Sequence, residues 1–420
     1  MNARNFLKQN LPPQVKGLVH RLRARIAAPP IDEAVLAEYA IAPDPDPKPR
    51  LTMVIPLLQK GADFGGTATG IDIFARLCLA LMAGGALDVR VIITDVIAET
   101  DPSIVTNRCA KAGLAVTADQ IERVKSLRAT IAVRRHEIFM TYNWWTTLNF
   151  AALRDAQAKA FGRPPRPMIW LMQDYEPAFM EFSSGHMLAR AAYDTSAPLW
   201  GVINSSNLAE YLAAVGHAFD RSFVFEPVIS DALRPYLNRV PTSQRKQRVL
   251  VYGRPHVARN CFPALVRGLR RWARDYPEFG NWEVVSAGTA HDPVALGDGR
   301  QLRSVGKLSL DDYAQILLES SAGVSLMASP HPSYPPLEMA HFGVRTVTNG
   351  YVCKDLSRFH PNITSLTSIA EVPLAAALAE ACRKAATPAP VFGNAEYLRE
   401  TAYPFMDDLC AATALALDRA

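Results

Sequence analysis

The feature that most constrains this chain is an alternation of short apolar strands with longer helices, run through twice. Leu51–Leu58 is an apolar, β-branched run with the pattern of a strand buried on both faces. It leads through a glycine-rich turn, Gly61–Gly70, into an apolar-periodic helix at Ile71–Met82. Gly84-Gly85 stop that helix before a second strand at Val89–Asp95. Further strands are predicted at Thr130–Val133, Glu137–Thr141, Pro167–Gln173, Leu199–Asn204 and Phe223–Phe225, with a helix over Thr146–Phe161. A polar stretch without periodicity, Asn238–Arg248, reads as a hinge. The rhythm then restarts, with strands at Val249–Tyr252, Glu283–Ala287, Leu302–Ser304, Gly323–Met327 and Arg345–Thr348. Helices fall at Cys261–Tyr276, Leu310–Ser320, Pro336–Phe342 and Val372–Thr387. Such alternation implies parallel sheets covered on both faces, and 420 residues are too many for one ordinary core. The expectation is therefore an α/β chain of two doubly wound units. In open sheets of this kind ligands bind beyond the carboxyl ends of the strands, so the site belongs in the cleft between the units.

The flanking segments read differently. Residues 5–28 place Leu18, Val19, Leu22 and Ile26 at helical spacing opposite Lys16, Arg21, Arg23 and Arg25. A basic amphipathic helix of this kind either lies on an anionic membrane or packs on its own domain. Pro43-Asp44-Pro45-Asp46-Pro47-Lys48-Pro49 reads as a stiff linker. It contains the only Asp-x-Asp string, so no metal site is expected there. The six cysteines are scattered singly in apolar or helical stretches, which suits small buried residues in a reducing compartment. The N-terminus lacks the apolar stretch and cleavage site of a secretory leader, and no run reaches the roughly 18 apolar residues of a spanning helix. A cytoplasmic location is expected, peripheral on the inner face of the plasma membrane if the basic helix binds lipid. A net charge of +5 suits an anionic small molecule or a membrane surface and is too small to argue for nucleic acid.

Several residues carry chemistry. The Gly61–Gly70 turn feeds a helix N-terminus, where free amides favour an anion. It fails the P-loop pattern, because Gly66 is followed by Thr67-Ala68, and it lacks GxGxxG. It reads as a site wall needing close backbone approach, or as a plain strand–helix turn. In the second half Arg254 leaves a strand end, Arg259 precedes a helix, and Lys307 leaves another strand end. Three cations so placed are able to converge on a diphosphate. Glu338, early in a short helix, is able to accept paired hydrogen bonds from ribose hydroxyls. Asp174 and Glu176 follow the strand Pro167–Gln173 and are candidates to orient or deprotonate an acceptor hydroxyl. Tyr142, Trp144 and Trp145 read either as a sugar-stacking surface or as core.

These residues also carry a resemblance. Gly253-Arg254 with Arg259, Val305-Gly306-Lys307 before a helix, and Ser329 with Leu337-Glu338-Met339-Ala340 and Gly343-Val344 resemble the C-terminal half of retaining GT-B glycosyltransferases of the GT4 type. Gly65-Gly66 after the first strand, with Gly85 and Asp88-Val89, is similar to their N-terminal half. More narrowly, Gln173-Asp174-Tyr175-Glu176-Pro177, Tyr252-Gly253-Arg254-Pro255 and the Pro-rich run from Ser329 to Glu338 resemble the WsaF rhamnosyltransferase and rhamnan-synthesis family. The resemblance covers roughly residues 51 to 348.

It implies a GT-B fold, two Rossmann-like doubly wound domains facing across a cleft. Residues 51–237 would bind the acceptor and residues 248–395 the nucleotide sugar. Residues 1–50 would be helix and linker, and 396–420 a C-terminal helix packing back on the first domain. The implied activity is transfer of a sugar, L-rhamnose from dTDP-rhamnose, onto a glycan or lipid-linked glycan in bacterial polysaccharide or surface glycan synthesis. Retention of configuration is implied, with no cofactor and no metal. The implied donor-binding residues are Gly65, Gly66, Arg254, Arg259, Lys307, Ser333, Tyr334 and Glu338. Gln173, Tyr175 and Trp144 would bind the acceptor, and Asp174, Glu176, Arg254 and Lys307 would act in catalysis. One departure stands out. Eight positions before Glu338 the GT4 pattern has an acid and this chain has Pro330, so that role stays unassigned among His331, Ser333 and Tyr334. Two other classes fit a two-lobed α/β chain: a nucleotide-sugar epimerase, which acts without an acceptor, and a non-enzymatic sugar-binding protein.

Overall fold

The computed structural model describes residues 35–58, 66–96, 100–195, 198–241, 245–387, 389, 395–399 and 403–418. The basic helix expected over 5–28 and Gly65 lie outside them. In the first half the strands are β1 (Ala40–Asp44), β2 (Arg50–Ile55), β3 (Asp88–Ile93), β4 (Ile121–Arg123), β5 (Thr130–Arg134), β6 (Glu137–Thr141), β7 (Met168–Met172), β8 (Leu199–Asn204) and β9 (Arg221–Phe225). The helices are α1 (Gly66–Ala83), α2 (Ser103–Lys111), α3 (Trp144–Ala160), α4 (Ser184–Ala191) and α5 (Ser206–Ala214). Seven of these strands form one parallel sheet in the order β4-β3-β2-β6-β7-β8-β9. Strands β2, β6, β7 and β8 are buried along their whole length, as a parallel sheet covered on both faces requires. Polar caps start the helices: the Asn143 side chain accepts the Thr146 amide at α3, and Ser183 and Ser205 do the same at α4 and α5.

The second half contains β10 (Lys246–Gly253), β11 (Glu283–Gly288), β12 (Val294–Ala295), β13 (Gln301–Gly306), β14 (Ser320–Val324), β15 (Arg345–Asn349) and β16 (Ile363–Leu366). With them come α6 (Phe262–Asp275), α7 (Leu310–Glu319), α8 (Tyr334–His341), α9 (Glu371–Lys384) and α10 (Met406–Ala416). The second sheet runs β12-β13-β11-β10-β14-β15-β16, parallel except for the short β12. Each sheet has an apolar cluster on each face. These are two doubly wound α/β domains facing one another, the GT-B arrangement.

α10 packs against α1, and Tyr403, Phe405 and Leu409 join the core of the first domain. The two segments that cross between the domains lie side by side. The Ile229 amide donates to the Tyr397 carbonyl, and the Arg234 guanidinium donates to the carbonyls of Leu398 and Arg399.

The structure corrects three expectations. Residues 43–49 are not a free linker, because β1 pairs in parallel with β5 and Asp44 and Asp46 form ion pairs with Arg134. The strand expected at Thr130–Val133 joins that small sheet instead of the main one. The basic end of the expected hinge is ordered: residues 246–248 begin β10, and the half-buried Arg245 guanidinium donates to the carbonyls of Leu317 and Ser320. The elements left unread, β1, β4, β12, β16, α2, α4 and α5, are all nine residues or shorter. Periodicity therefore had little signal to show there. α1 is long and apolar enough to cross a membrane by length and composition, yet Ile71, Phe74, Leu77 and Leu81 place it in the domain core.

In each sheet the strand order reverses beside the first strand: β2 lies between β3 and β6, and β10 between β11 and β14. Chain leaving adjacent strands on opposite sides opens a crevice at their carboxyl ends. In the second domain that crevice lies between the loops following β10 and β14.

Candidate active site

The loop after β10 begins with Arg254. Two glycines make its path possible. A Cβ on Gly253 would lie 2.1 Å from the Ser286 hydroxyl, and one on Gly288 would lie 2.4 Å from the Gly253 carbonyl, with Gly288 at φ 137°. Arg254 is half-buried and pairs with no carboxylate among the described residues. The Arg259 carbonyl accepts the Ala328 amide, and the Asn260 side chain donates to the Leu326 carbonyl, so this loop and the loop after β14 are tied together. Lys307 is exposed in the turn between β13 and α7, at the same end of the sheet.

The loop after β14 turns on hydrogen bonds of its own. The Ser329 hydroxyl accepts the His331 amide, and His331 Nδ1 accepts the Ser333 amide. Ser333 takes φ 68°, a strained value for a residue with a side chain, and α8 starts directly after it. Glu338 on α8 accepts a 2.8 Å hydrogen bond from the Tyr313 hydroxyl. Burial pushes its carboxyl up to about 7 against that bond.

Several side chains reach across the cleft. The Ser329 hydroxyl donates to Asp174 Oδ1 at 2.5 Å. Asn204 Nδ2, which donates to Gln173 Oε1 at 2.9 Å, also lies 3.5 Å from the Tyr334 hydroxyl. Asn207 Nδ2 lies 3.4 Å from the Cys353 carbonyl. The Gln173 side chain packs beside Gly66, where a Cβ would meet the Tyr142 hydroxyl at 2.7 Å.

Asp174 is the electrostatic centre. Burial raises its carboxyl above the ordinary range, opposed by Ser329, by the Tyr175 amide and by the charges of Arg259 and Lys354. Lys354 is buried, donates to the Met327 carbonyl at 2.8 Å, and is brought down to about 8 by burial. His331 is held at about 3 by burial and by the Lys354 and Arg259 charges, so it is neutral, and its Nε2 has no partner among the described residues.

The structure separates residues that the sequence grouped. Glu176 does not share the position of Asp174: its carboxyl accepts the Trp144 amide at the start of α3, and burial pushes it up to about 8. Trp144 and Tyr175, expected to hold an acceptor, are buried core residues, because their rings complete the apolar cluster between β7 and α3. The Ser333 amide is already engaged by His331. Arg254, Arg259, Lys307, Tyr334 and Glu338 do lie at one end of one sheet, with Asp174 and Gln173 opposite. Lys354, Asn204 and Tyr313 went unread. Lys307 directly follows β13, whereas Lys354 comes five residues after the end of β15, so no strand-end pattern marked it.

The sequence profile of the WsaF N-terminal domain matches residues 50–206, and that of the WsaF C-terminal domain matches residues 247–379. The chain belongs to the WsaF family. Both the Asp174 loop and the loops carrying Arg254 to Glu338 lie inside the matched WsaF domains. A segment of 181 residues, 43% of the chain, is 34% identical to the O-antigen biosynthesis protein RfbC of Myxococcus xanthus, and it spans 14% of that protein. Solved structures similar to this WsaF-family chain include a sucrose-phosphate synthase from Thermosynechococcus elongatus (12% identity, TM-score 0.47, 88% of this chain and 94% of that one). Another is a UDP-forming trehalose-phosphate synthase from Burkholderia xenovorans (10% identity, TM-score 0.47, 88% and 96%). Likeness at this level says nothing about substrate.

Proposed function

We propose that the chain is a glycosyltransferase that moves a sugar from a nucleoside-diphosphate donor onto a glycan in bacterial polysaccharide synthesis. The observation that carries this reading is the clustering of Arg254, Arg259, Lys307 and Glu338 at the carboxyl ends of the second sheet, with Asp174 facing them from the first. Breaking a glycosidic bond to a nucleoside diphosphate builds negative charge on the departing phosphate. Arg254 and Lys307, with Arg259, supply fixed positive charge where it develops, and no metal is required for that role. Glu338 holds the ribose hydroxyls. Asp174, the carboxylate that reaches across the cleft, orients the acceptor hydroxyl. Glu176 supports it from behind by fixing the start of α3.

Retention of configuration is part of this reading, with the departing phosphate taking the acceptor proton. The family likeness supports L-rhamnose, carried as dTDP-rhamnose, as the transferred sugar. A peripheral position on the cytoplasmic membrane face rests on the basic pattern of residues 5–28. Calorimetry with dTDP, UDP and GDP, followed by incubation with dTDP-rhamnose with and without a glycan acceptor, tests the proposal. Saturable binding of one nucleotide and turnover that needs the acceptor are expected. Absence of affinity for all three nucleotides would sink it, and turnover of the nucleotide sugar alone would favour an epimerase.

A further inference from the structure

With Trp144 and Tyr175 enclosed in the core, the acceptor side of the cleft needs another surface for a sugar ring. Among the described residues the only exposed Phe, Tyr or Trp rings are Phe179 and Phe182, at 47% and 98% exposure, and Met187, five positions after Phe182, is 63% exposed. All three lie on the segment that follows Asp174 and Glu176 at the end of β7. Phe179 reaches the second domain, with the Arg259 guanidinium 4.4 Å from its ring centroid. The patch is therefore on the rim of the same cleft.

The exposure of Phe182 is built into this segment. Met180 beneath it packs against the core, with its sulfur 3.1 Å from where a Cβ on Gly185 would stand. Ser183 caps α4, His186 Nδ1 is bonded to the Pro177 carbonyl at 2.8 Å, and the His186 ring lies 5.2 Å from the Phe182 ring. Large apolar side chains left in water together, rather than singly, mark an interaction surface.

Charge identifies the ligand. Between Met180 and Met187 the only Asp, Glu, Lys or Arg is Glu181. An anionic lipid surface is attracted by clustered Lys and Arg, and this tip offers one carboxylate in their place. A neutral sugar has no such requirement, and the C–H face of its ring is able to cover an aromatic ring.

We propose that Phe182, flanked by Phe179 and Met187, is the acceptor platform, on which the apolar face of a neutral sugar ring stacks. The proposal rests on the glycosyltransferase reading for its ligand. Saturation-transfer NMR of the full chain with the methyl glycosides of rhamnose, glucose, mannose and galactose tests it without requiring turnover. At least one glycoside is expected to show ring C–H saturation with the wild type, a loss of tenfold or more with Phe182→Ala, and recovery with Phe182→Trp. Calorimetry with dTDP and UDP on the same variants reads the donor site separately and is expected to give equal affinities. Equal saturation in all three proteins, or none in the wild type, overturns the platform while leaving the donor reading intact if nucleotide still binds. Phosphatidylglycerol vesicles that sediment the wild type but not Phe182→Ala, with sugar saturation unchanged, would overturn it in favour of a lipid contact.

Discussion

Asp174 in the first domain and Ser329 in the second share a 2.5 Å hydrogen bond, serine donating, that spans the cleft where the two sheets face each other. A bond between a hydroxyl and a partly buried carboxylate contributes about 1.5–3 kcal/mol. Ser329→Ala removes it while leaving the Asp174 carboxylate in place, so the closed arrangement of the domains loses support of that order. Small-angle scattering on the ligand-free variant is expected to show a larger radius of gyration than the wild type. An unchanged radius would mean that the other cross-cleft contacts hold the domains alone.

The two acids of the Asp174-Tyr175-Glu176 segment are expected to separate in function. Asp174→Asn is expected to lower kcat at least a hundredfold. Glu176→Gln retains an acceptor for the Trp144 amide, and a carboxyl at about 8 is already protonated at neutral pH. Its kcat should fall far less, and equal losses in the two variants would contradict the geometry.

Arg254→Ala and Lys307→Ala each remove a charge from the proposed diphosphate site. A charge-assisted hydrogen bond of about 1.5–3 kcal/mol corresponds to roughly ten- to a hundredfold in affinity. Calorimetry should show that loss for the nucleoside diphosphate. The melting temperature should stay close to that of the wild type, because Lys307 is exposed and Arg254 pairs with no carboxylate among the described residues.

The proposed ribose contact of Glu338 predicts that donor binding depends on pH. Burial sets its carboxyl at about 7 in the free protein, and the ionised form is the proposed acceptor for two ribose hydroxyls. Affinity should therefore weaken as pH falls from 8 to 6 and recover as it rises, by up to about tenfold per unit below the midpoint. The phosphate's own ionisation is removed by comparison with Glu338→Gln, whose profile should be flatter than that of the wild type.

Glu137 carries stability at the opposite end of the first sheet. It is fully buried, with Arg50 and Arg90 each 2.6 Å away and the Thr52 hydroxyl at 2.5 Å. Burial alone would raise its carboxyl, but Arg90, Arg50 and Thr52 outweigh that and hold it below the ordinary range. Glu137→Gln removes the one fully buried counter-charge of Arg50 and Arg90, leaving them Asp44 at 3.2 Å and Glu122 at 3.3 Å nearer the surface, and is expected to cost up to about 3–5 kcal/mol in denaturant unfolding. A depressed folded value means the stabilisation is present above the unfolded value of about 4.3 and is lost as pH falls through the folded one. The variant should lack that acid-side loss.

Much of the fold was legible because parallel sheets announce themselves. Strands such as Met168–Met172, apolar throughout, and Arg50–Ile55, apolar from Leu51 onward except for Thr52, are buried on both faces. Arg254 was legible for the same reason, since it stands where an apolar strand stops, and Lys307 because it stands between a strand end and a helix start. The small sheet of Ala40–Asp44 with Thr130–Arg134 was hidden, because its pairing joins segments far apart in sequence and one of them looks like a proline linker. Lys354 was hidden for a similar reason: its importance lies in its burial beside Asp174, which no local pattern records.

The sequence by itself determined the two doubly wound domains, the cations at the ends of the second sheet and the membership in a family. Those follow from local periodicity and from residue types at strand ends. Only the tertiary structure decided that Asp174 meets Ser329 while Glu176 turns back to α3, and that Trp144 and Tyr175 are core while Phe182 stands in water. Neighbours in sequence share a chain direction but not an environment, and burial, charge and reach are properties of the environment.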